Sequence, residues 1–141
     1  MTLDNVALKI LVVEDNDELR AATLAFLQNQ GHYVRGVAMA EDIDDMGGGF
    51  VPDVYVIDLN LPGEDGLSLA SRIRKTHPLV GIIILSARSA LDDKLNGYDC
   101  GADLYLTKPV SLPELSAALK SFARRRLATL KHVSANSLTL N

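Results

Sequence analysis

Short apolar runs alternate with longer amphipathic segments along most of the chain. The apolar runs predict strands at 9–13, 33–37, 53–58, 81–85 and 102–106. Apolar residues at three- and four-residue spacing predict helices at 17–30, 40–46, 66–77, 90–100 and 113–130. Two of the runs, ILVV and IIIL, are apolar without alternation, which is typical of parallel strands covered by helices on both faces. The pattern therefore predicts an α/β fold with a doubly wound parallel sheet.

Helix ends and faces can also be predicted. Asp17 and Ser111 are candidate N-caps, because their side-chain oxygens can accept a backbone N–H. The residues assigned to the buried face of the first helix are Leu19, Ala21, Ala22, Leu24, Ala25 and Leu27. After about Arg126 the helical pattern weakens, and the terminal SLTLN resembles a short strand. We therefore predict one domain over 6–125, followed by a linker or tail over 126–141.

Composition narrows the class of protein. The 141 residues fit one core, and the hydrophobic content of 48% argues against disorder. A formal net charge of -4 argues against nucleic-acid binding by this segment. The single cysteine, Cys100, cannot form an internal disulfide, which suits a cytoplasmic location. No apolar run approaches the roughly 20 residues that span a bilayer, so we expect no membrane association.

Polar residues follow the predicted strands at the edge where doubly wound sheets bind ligands. They are Glu14, Asp15, Asp58, Ser86 and Lys108. Each alone could belong to a solvated turn or a cap, but the carboxyl ends of parallel strands meet at one edge, so all five should converge. Neighbouring carboxylates share protons or bind a cation, and all-oxygen ligands favour Mg²⁺ over zinc. A carboxylate can also attack phosphorus, with Lys108 and Ser86 opposing the phosphoryl charge.

Four segments, VVEDN (12–16), VIDLNLPGEDGL (56–67), LSAR (85–88) and GADLYLTKPVSLPEL (101–115), closely resemble response-regulator receiver domains. The resemblance implies a CheY-like, flavodoxin-like (βα)5 three-layer sandwich with strand order 2-1-3-4-5. It implies a signalling domain, not a conventional enzyme, whose Asp58 is phosphorylated by a sensor histidine kinase. Lys108 would pair with the phosphoryl group, ahead of a cis peptide at Pro109. The implied Mg²⁺ ligands are Glu14, Asp15, Asp58 and the backbone carbonyl of Asn60.

The resemblance also implies a conformational switch. When the phosphoryl group arrives, Ser86 should move toward it and vacate space into which Tyr105 can rotate. That rotation would alter the surface of the fourth helix, fifth strand and fifth helix. Arg88 lies where a cation would shield the phosphoryl group from water, and the neighbouring Ala87 is small. We therefore expect a fairly persistent phosphoaspartate.

The chain resembles the OmpR/PhoB-type regulators, whose receivers form homodimers through that surface. The corresponding positions are Lys94 with Glu114, Asp103 with Arg125, and the apolar Leu104 with Ala118. These regulators continue into a winged-helix DNA-binding domain that opens with a small sheet, which SLTLN resembles. DNA binding is expected only through that further domain. Val110 stands where the family commonly has Phe, so local packing should differ.

Three alternatives remain at this point. A haloacid-dehalogenase-like hydrolase would also use an aspartate nucleophile, but it wants a second aspartate where this chain has Asn60. A flavodoxin-like FMN carrier would need backbone N–H groups and hydroxyls where Glu14 and Asp15 stand. A phosphorylation-independent interaction module would not need the acidic residues and the lysine that this chain keeps.

Overall fold

A parallel sheet forms the centre of the chain. In the computed structural model, residues 6–44, 48–87, 95 and 98–139 are described, with side chains up to residue 128. The strands are β1 (Lys9–Val13), β2 (Tyr33–Val37), β3 (Val54–Asp58), β4 (Gly81–Ser86) and β5 (Leu104–Thr107). Their order is β2-β1-β3-β4-β5, and every neighbouring pair is parallel. The predicted strand order is confirmed.

Helices cover both faces of this sheet. They are α1 (Asp17–Asn29), α2 (Glu41–Asp44), α3 (Gly66–Thr76) and α5 (Leu112–Thr139). We keep the label α4 for the predicted segment 90–100, in which the described residues Leu95, Tyr98 and Asp99 are helical. Within the described ranges, none of the helices combines the length and apolar character needed to cross a membrane.

Successive strand residues point to opposite faces of the sheet, which divides the core into two clusters. The cluster on the α3 face includes Leu11, Tyr55, Ile57, Ile82, Ile84, Leu69 and Ile73. The cluster on the α1/α5 face includes Ile10, Val12, Val54, Val56, Ile83, Leu27, Leu115 and Leu119. β1, β3 and β4 are therefore covered on both sides, as the unbroken apolar runs of β1 and β4 predicted.

The start and the buried face of α1 differ from the prediction. The N-cap is Asn16, whose side-chain oxygen accepts a hydrogen bond from Leu19 N at 2.9 Å, and Asp17 is the first helical residue. Thr23 is buried, and its hydroxyl donates to the carbonyl of Leu19 at 2.8 Å, so that this polar group is not left without a partner. Four residues assigned to the buried face are exposed instead: Leu19, Ala21, Ala22 and Ala25. Alanine is too small and too weakly apolar to define a helix face, and Leu19 lies in the first turn of α1, next to the exposed Asp17 and Glu18.

The last helix is longer than predicted. It continues to Thr139, so the expectation of a strand at SLTLN is wrong for residues 137–139. After Pro113 the sequence contains no proline or glycine, and its arginine, leucine, alanine and lysine residues favour helix. Arg126 also ties α5 to the domain through a 2.8 Å salt bridge to Asp53. The proposed division of the chain near residue 126 stays a prediction.

Candidate functional site

The site lies at the carboxyl ends of the strands, where ladder hydrogen bonds continue past the strand ends. Glu14 N donates to Val37 O at 3.0 Å, and Leu59 N donates to Leu85 O at 2.9 Å. Lys108 N donates to Ser86 O at 2.7 Å. These bonds hold the main chain at or beside three predicted site residues. The sheet itself therefore positions Glu14, Asp58 and Lys108.

The side chains of these residues meet as predicted. Lys108 Nζ donates to Glu14 Oε1 at 2.9 Å and to Asp58 Oδ2 at 3.2 Å. The second oxygen of each carboxylate accepts a backbone N–H, from Asn16 for Glu14 and from Asn60 for Asp58. Both carboxylates are thus held at both oxygens. The following Lys108–Pro109 peptide bond is cis, as expected.

Burial and charge act in opposite directions on these groups. Burial raises the pKa of Glu14, the hydrogen bond from Lys108 lowers it, and nearby Asp58 raises it again, so that the net shift is upward. Burial by itself would lower the pKa of Lys108, but the hydrogen bonds and charges of Glu14 and Asp58 outweigh it and raise the pKa. The lysine is thus held in its charged form by the two carboxylates.

The same place fits a divalent cation. Glu14, Asp15 and Asp58 each offer an oxygen, and these oxygens lie within 4.8 Å of one another. Glu14 and Asp58 are buried, whereas Asp15 is exposed. Three carboxylates face one ammonium group, so the cluster carries an excess of negative charge. An all-oxygen donor set with that charge suits a hard cation such as Mg²⁺.

Ser86 and Tyr105 lie on the neighbouring strands β4 and β5. Ser86 is two residues beyond Ile84 on β4, and it is fully buried. Tyr105 pairs in register with Ile84 and belongs to the cluster on the α3 face. Its ring is only 5% exposed, although the expectation has it rotate inward when the domain is phosphorylated. The described conformation therefore already has the tyrosine inside.

The sequence reasoning missed a glycine that shapes the loop after Asp58. Gly66 opens α3, and its N–H donates to Leu59 O at 3.0 Å. A Cβ at this position would lie 2.6 Å from the carbonyl oxygen of Asp58 and 2.8 Å from Leu59 Cα. Only glycine fits so close to the backbone. The signal was present as the last glycine of LPGEDG, directly after Asp65, which is the N-cap of α3.

Three of the predicted dimer positions make contacts within their own chain. Asp103 forms a 2.9 Å salt bridge with Arg74 and also accepts Ile82 N at 2.8 Å. Leu104 and Ala118 are partly buried against the cluster on the α1/α5 face, which explains why both are apolar. Glu114 and Arg125 are exposed. Lys94 and Arg88 lie outside the described residues.

Comparison with known proteins identifies the class. The chain belongs to the response regulator receiver domain family, whose sequence profile matches residues 10–120. It is 38% identical over 118 residues to the transcriptional regulatory protein PmrA of Pectobacterium parmentieri, a match that covers 84% of this chain and 53% of PmrA. The transcriptional regulatory protein PhoP of Escherichia coli (strain K12) matches with the same identity and coverage. The chain thus spans about half the length of these relatives.

Solved structures show the same fold. The receiver domain of DrrB in its BeF3-activated form has a TM-score of 0.76 at 31% identity, covering 84% of this chain and 99% of that one. The longer DrrB structure, from Thermotoga maritima and described as an OmpR/PhoB homolog, has a TM-score of 0.77 over 85% of this chain and 54% of DrrB, also at 31% identity. A CheY-like receiver from Methanospirillum hungatei has a TM-score of 0.81 over 88% of this chain and 99% of its own, but at 22% identity it supports the fold alone.

Family membership decides among the earlier alternatives. The chain is the receiver domain of a two-component response regulator with an acidic pocket of Glu14, Asp15 and Asp58, and it is not a conventional enzyme. The hydrolase and the FMN carrier are therefore set aside.

Proposed function

We propose that Asp58 accepts a phosphoryl group from a sensor histidine kinase in a Mg²⁺-dependent reaction. The observation that carries this proposal is the position of Lys108 Nζ between Glu14 and Asp58, beside a third carboxylate. An oxygen of Asp58 would form the new bond to phosphorus as the bond from phosphorus to the kinase imidazole breaks. The bonding electrons leave with the imidazole nitrogen. Nucleophile and cationic partner thus lie within hydrogen-bond distance before any substrate arrives.

The surrounding residues have separate tasks. Asn60 N–H holds Asp58 Oδ1 at 3.1 Å and so fixes the direction of the carboxylate. The Lys108 ammonium, which now donates to Asp58 Oδ2, would donate to a phosphoryl oxygen instead, and the Ser86 hydroxyl would donate to a phosphoryl oxygen as well. Glu14, Asp15, Asp58 and the Asn60 carbonyl would hold Mg²⁺. The metal would neutralise phosphoryl charge when bound.

The output of this reaction would be a change of surface. Ser86 and Tyr105 would act as the switch, because Ser86 ends β4 and Tyr105 lies on the neighbouring edge strand β5, in register with Ile84. The altered surface would be that of α4, β5 and α5, through which two copies would pair. Lys94, Glu114, Asp103 and Arg125 would supply charge pairs, with Leu104 and Ala118 between them. Asp103 would then have to bind Arg74 of its own chain and a residue of the partner subunit at the same time.

In the whole protein this change would regulate transcription. The relatives that match are transcriptional regulatory proteins of which the match covers only 53%, which supports a further DNA-binding domain after residue 126. The acidic receiver itself would not bind DNA. Regulation of transcription would place the protein in the cytoplasm.

Labelling with a small phosphodonor tests the phosphoacceptor without the kinase. The chain would be incubated with acetyl phosphate and Mg²⁺, and the phosphorylated fraction measured by intact mass and on phosphate-affinity gels. We expect one saturable phosphorylation that is lost in Asp58→Asn, lost on chelation of Mg²⁺, and retained in Asp17→Asn, whose carboxylate is exposed on α1. Labelling of Asp58→Asn to the same extent as the wild type would refute the assignment.

A further inference from the structure

A cavity of about 420 Å³ lies beside the carboxylate cluster, on the α1/α5 face of the sheet. Three strands supply its floor, and α1 and the segment after β5 supply its walls. The apolar side chains that line it include Val12, Val56, Leu85, Leu19, Val110 and Leu115. The proposed phosphoacceptor chemistry uses only the polar end of this space, where Glu14, Asp58 and Lys108 lie.

The polar groups of the cavity are already paired. Glu14, Asp58 and Lys108 lie at one end and bind each other. Thr23 lies on the α1 wall, and its hydroxyl donates to Leu19 O. Throughout the described part of the chain, no fully buried side-chain nitrogen or oxygen lacks a hydrogen-bond partner. An occupant would therefore meet apolar walls and no polar group in need of a partner.

Volume and charge together define the class of occupant. Apolar cavities of roughly 150 Å³ already bind benzene, and ligand sites commonly measure roughly 300–1,000 Å³. The polar end carries the carboxylates of Glu14 and Asp58 and the single ammonium of Lys108, and the excess of negative charge disfavours binding of an anion. We propose that this cavity binds a small uncharged aromatic molecule of one or two rings. The ligand would contact the stem of Lys108 and the ring of Pro109, and so would be coupled to the site at Asp58.

Indole is a suitable probe, because it is uncharged and has two fused rings. Binding would be measured on the metal-free chain by titration in methyl-resolved NMR. The methyl signals of Val12, Val56 and Leu85 should shift, whereas those of Leu69 and Ile73 on the α3 face should not. Indole-3-acetate, the anionic analogue, should bind at least about tenfold more weakly. Absence of saturable shifts with indole, or equal binding of the anion, would overturn the proposal.

Position 110 provides a matched pair of variants. Val110→Phe should place a ring in part of the cavity and weaken indole binding by at least about tenfold, whereas Val110→Ala enlarges the cavity and should retain binding. Val110 is only partly buried, so both variants should fold, which circular dichroism checks. If Val110→Phe bound indole as well as Val110→Ala does, the ligand would lie elsewhere and the assignment would be wrong.

The coupling between the cavity and the site at Asp58 rests on the proposed function, whereas the binding of indole to the cavity does not. With Mg²⁺ present, beryllofluoride affinity would be measured with and without saturating indole, and linkage requires each ligand to change the affinity for the other by the same factor. Indole binding without any beryllofluoride binding would count against the phosphoacceptor and leave the cavity assignment intact. Binding of both with no mutual effect would overturn the coupling alone.

Discussion

Arg74 and Asp103 form a salt bridge of 2.9 Å that joins α3 to the turn leading into β5. The same guanidinium donates to the carbonyls of Gly101, Pro78 and Val80 at 2.7–3.0 Å. One side chain thus connects the end of α3, the start of β4 and the turn before β5. Asp103 is held within its own chain, whether or not a second copy binds.

Removal of Arg74 should therefore destabilise the monomer. We expect Arg74→Ala to lower the free energy of unfolding by about 2–3 kcal/mol, because several carbonyls and Asp103 lose a charged donor together. Urea unfolding would measure this loss. Arg72→Ala is the matched control, since Arg72 lies on the same helix, is 45% exposed and should cost at most about 1 kcal/mol. Equal losses for the two variants would show that Arg74 is an ordinary surface arginine.

A methyl group at position 66 should disturb the loop that carries Asp58. The added Cβ of Gly66→Ala would meet backbone atoms, which cannot turn aside as a side chain can. We expect a loss of about 1–3 kcal/mol in unfolding free energy and slower labelling by acetyl phosphate. Gly48→Ala should change neither quantity, because a Cβ there would have no atom within 4 Å apart from those of its chain neighbours. A neutral effect of Gly66→Ala on both measurements would contradict the close approach.

Glu14 should make the stability of the metal-free domain depend on pH. Its pKa in the folded chain lies above the unfolded value of 4.5, so the folded state binds this proton more tightly. The resulting stabilisation is present below pH 4.5 and is lost as the pH rises through the folded pKa. Wild type should therefore lose stability across this window relative to Glu14→Gln, which cannot ionise. Urea unfolding in EDTA at a series of pH values measures the difference, and parallel profiles would disprove it.

Lys108 and Mg²⁺ should compensate for each other in neutralising the cluster. Lys108→Met leaves two buried carboxylates without their cation, and we expect a loss of about 1–3 kcal/mol without metal, reduced from the range for fully buried pairs because Lys108 is 23% exposed. Saturating Mg²⁺ should then stabilise the variant more than it stabilises wild type. Lys75→Met, at an exposed position on α3, should respond as wild type does. Thermal unfolding with and without Mg²⁺ compares the three proteins, and an equal gain in all of them would exclude the compensation.

The sheet and the acidic cluster could be predicted, because the strands follow from short apolar runs and the site residues come directly after those runs. The runs at 9–13 and 33–37 coincide with β1 and β2. Convergence of Glu14, Asp58 and Lys108 follows once parallel strands are assumed. The Arg74–Asp103 pair could not be predicted, because its members are 29 residues apart and the arginine resembles any other charge on an exposed helix face.

Other differences arise where local signals compete. Asn16 and Asp17 are both good caps, and only the extended backbone at Asn16 decides between them. Residues beyond Arg126 lack an apolar stripe, yet their helix propensity and the absence of a breaker favour continuation of α5. The glycine after Asp65 is visible in the sequence, but its closeness to the Asp58 backbone depends on how α3 packs.

The alternation of side chains along the strands has a consequence for how the carboxylate site could be coupled to the opposite face of the sheet. Glu14 and Asp58 line a cavity with residues of the α1/α5 face, whereas Tyr105 belongs to the cluster on the α3 face, so a single layer of polypeptide separates the carboxylates from the tyrosine. The two sides meet at the amide of Lys108, which donates to the carbonyl of Ser86. In the proposed function, a displacement of the Lys108 side chain would therefore act on Ser86 through this one main-chain hydrogen bond. Neither of the two core clusters would have to repack.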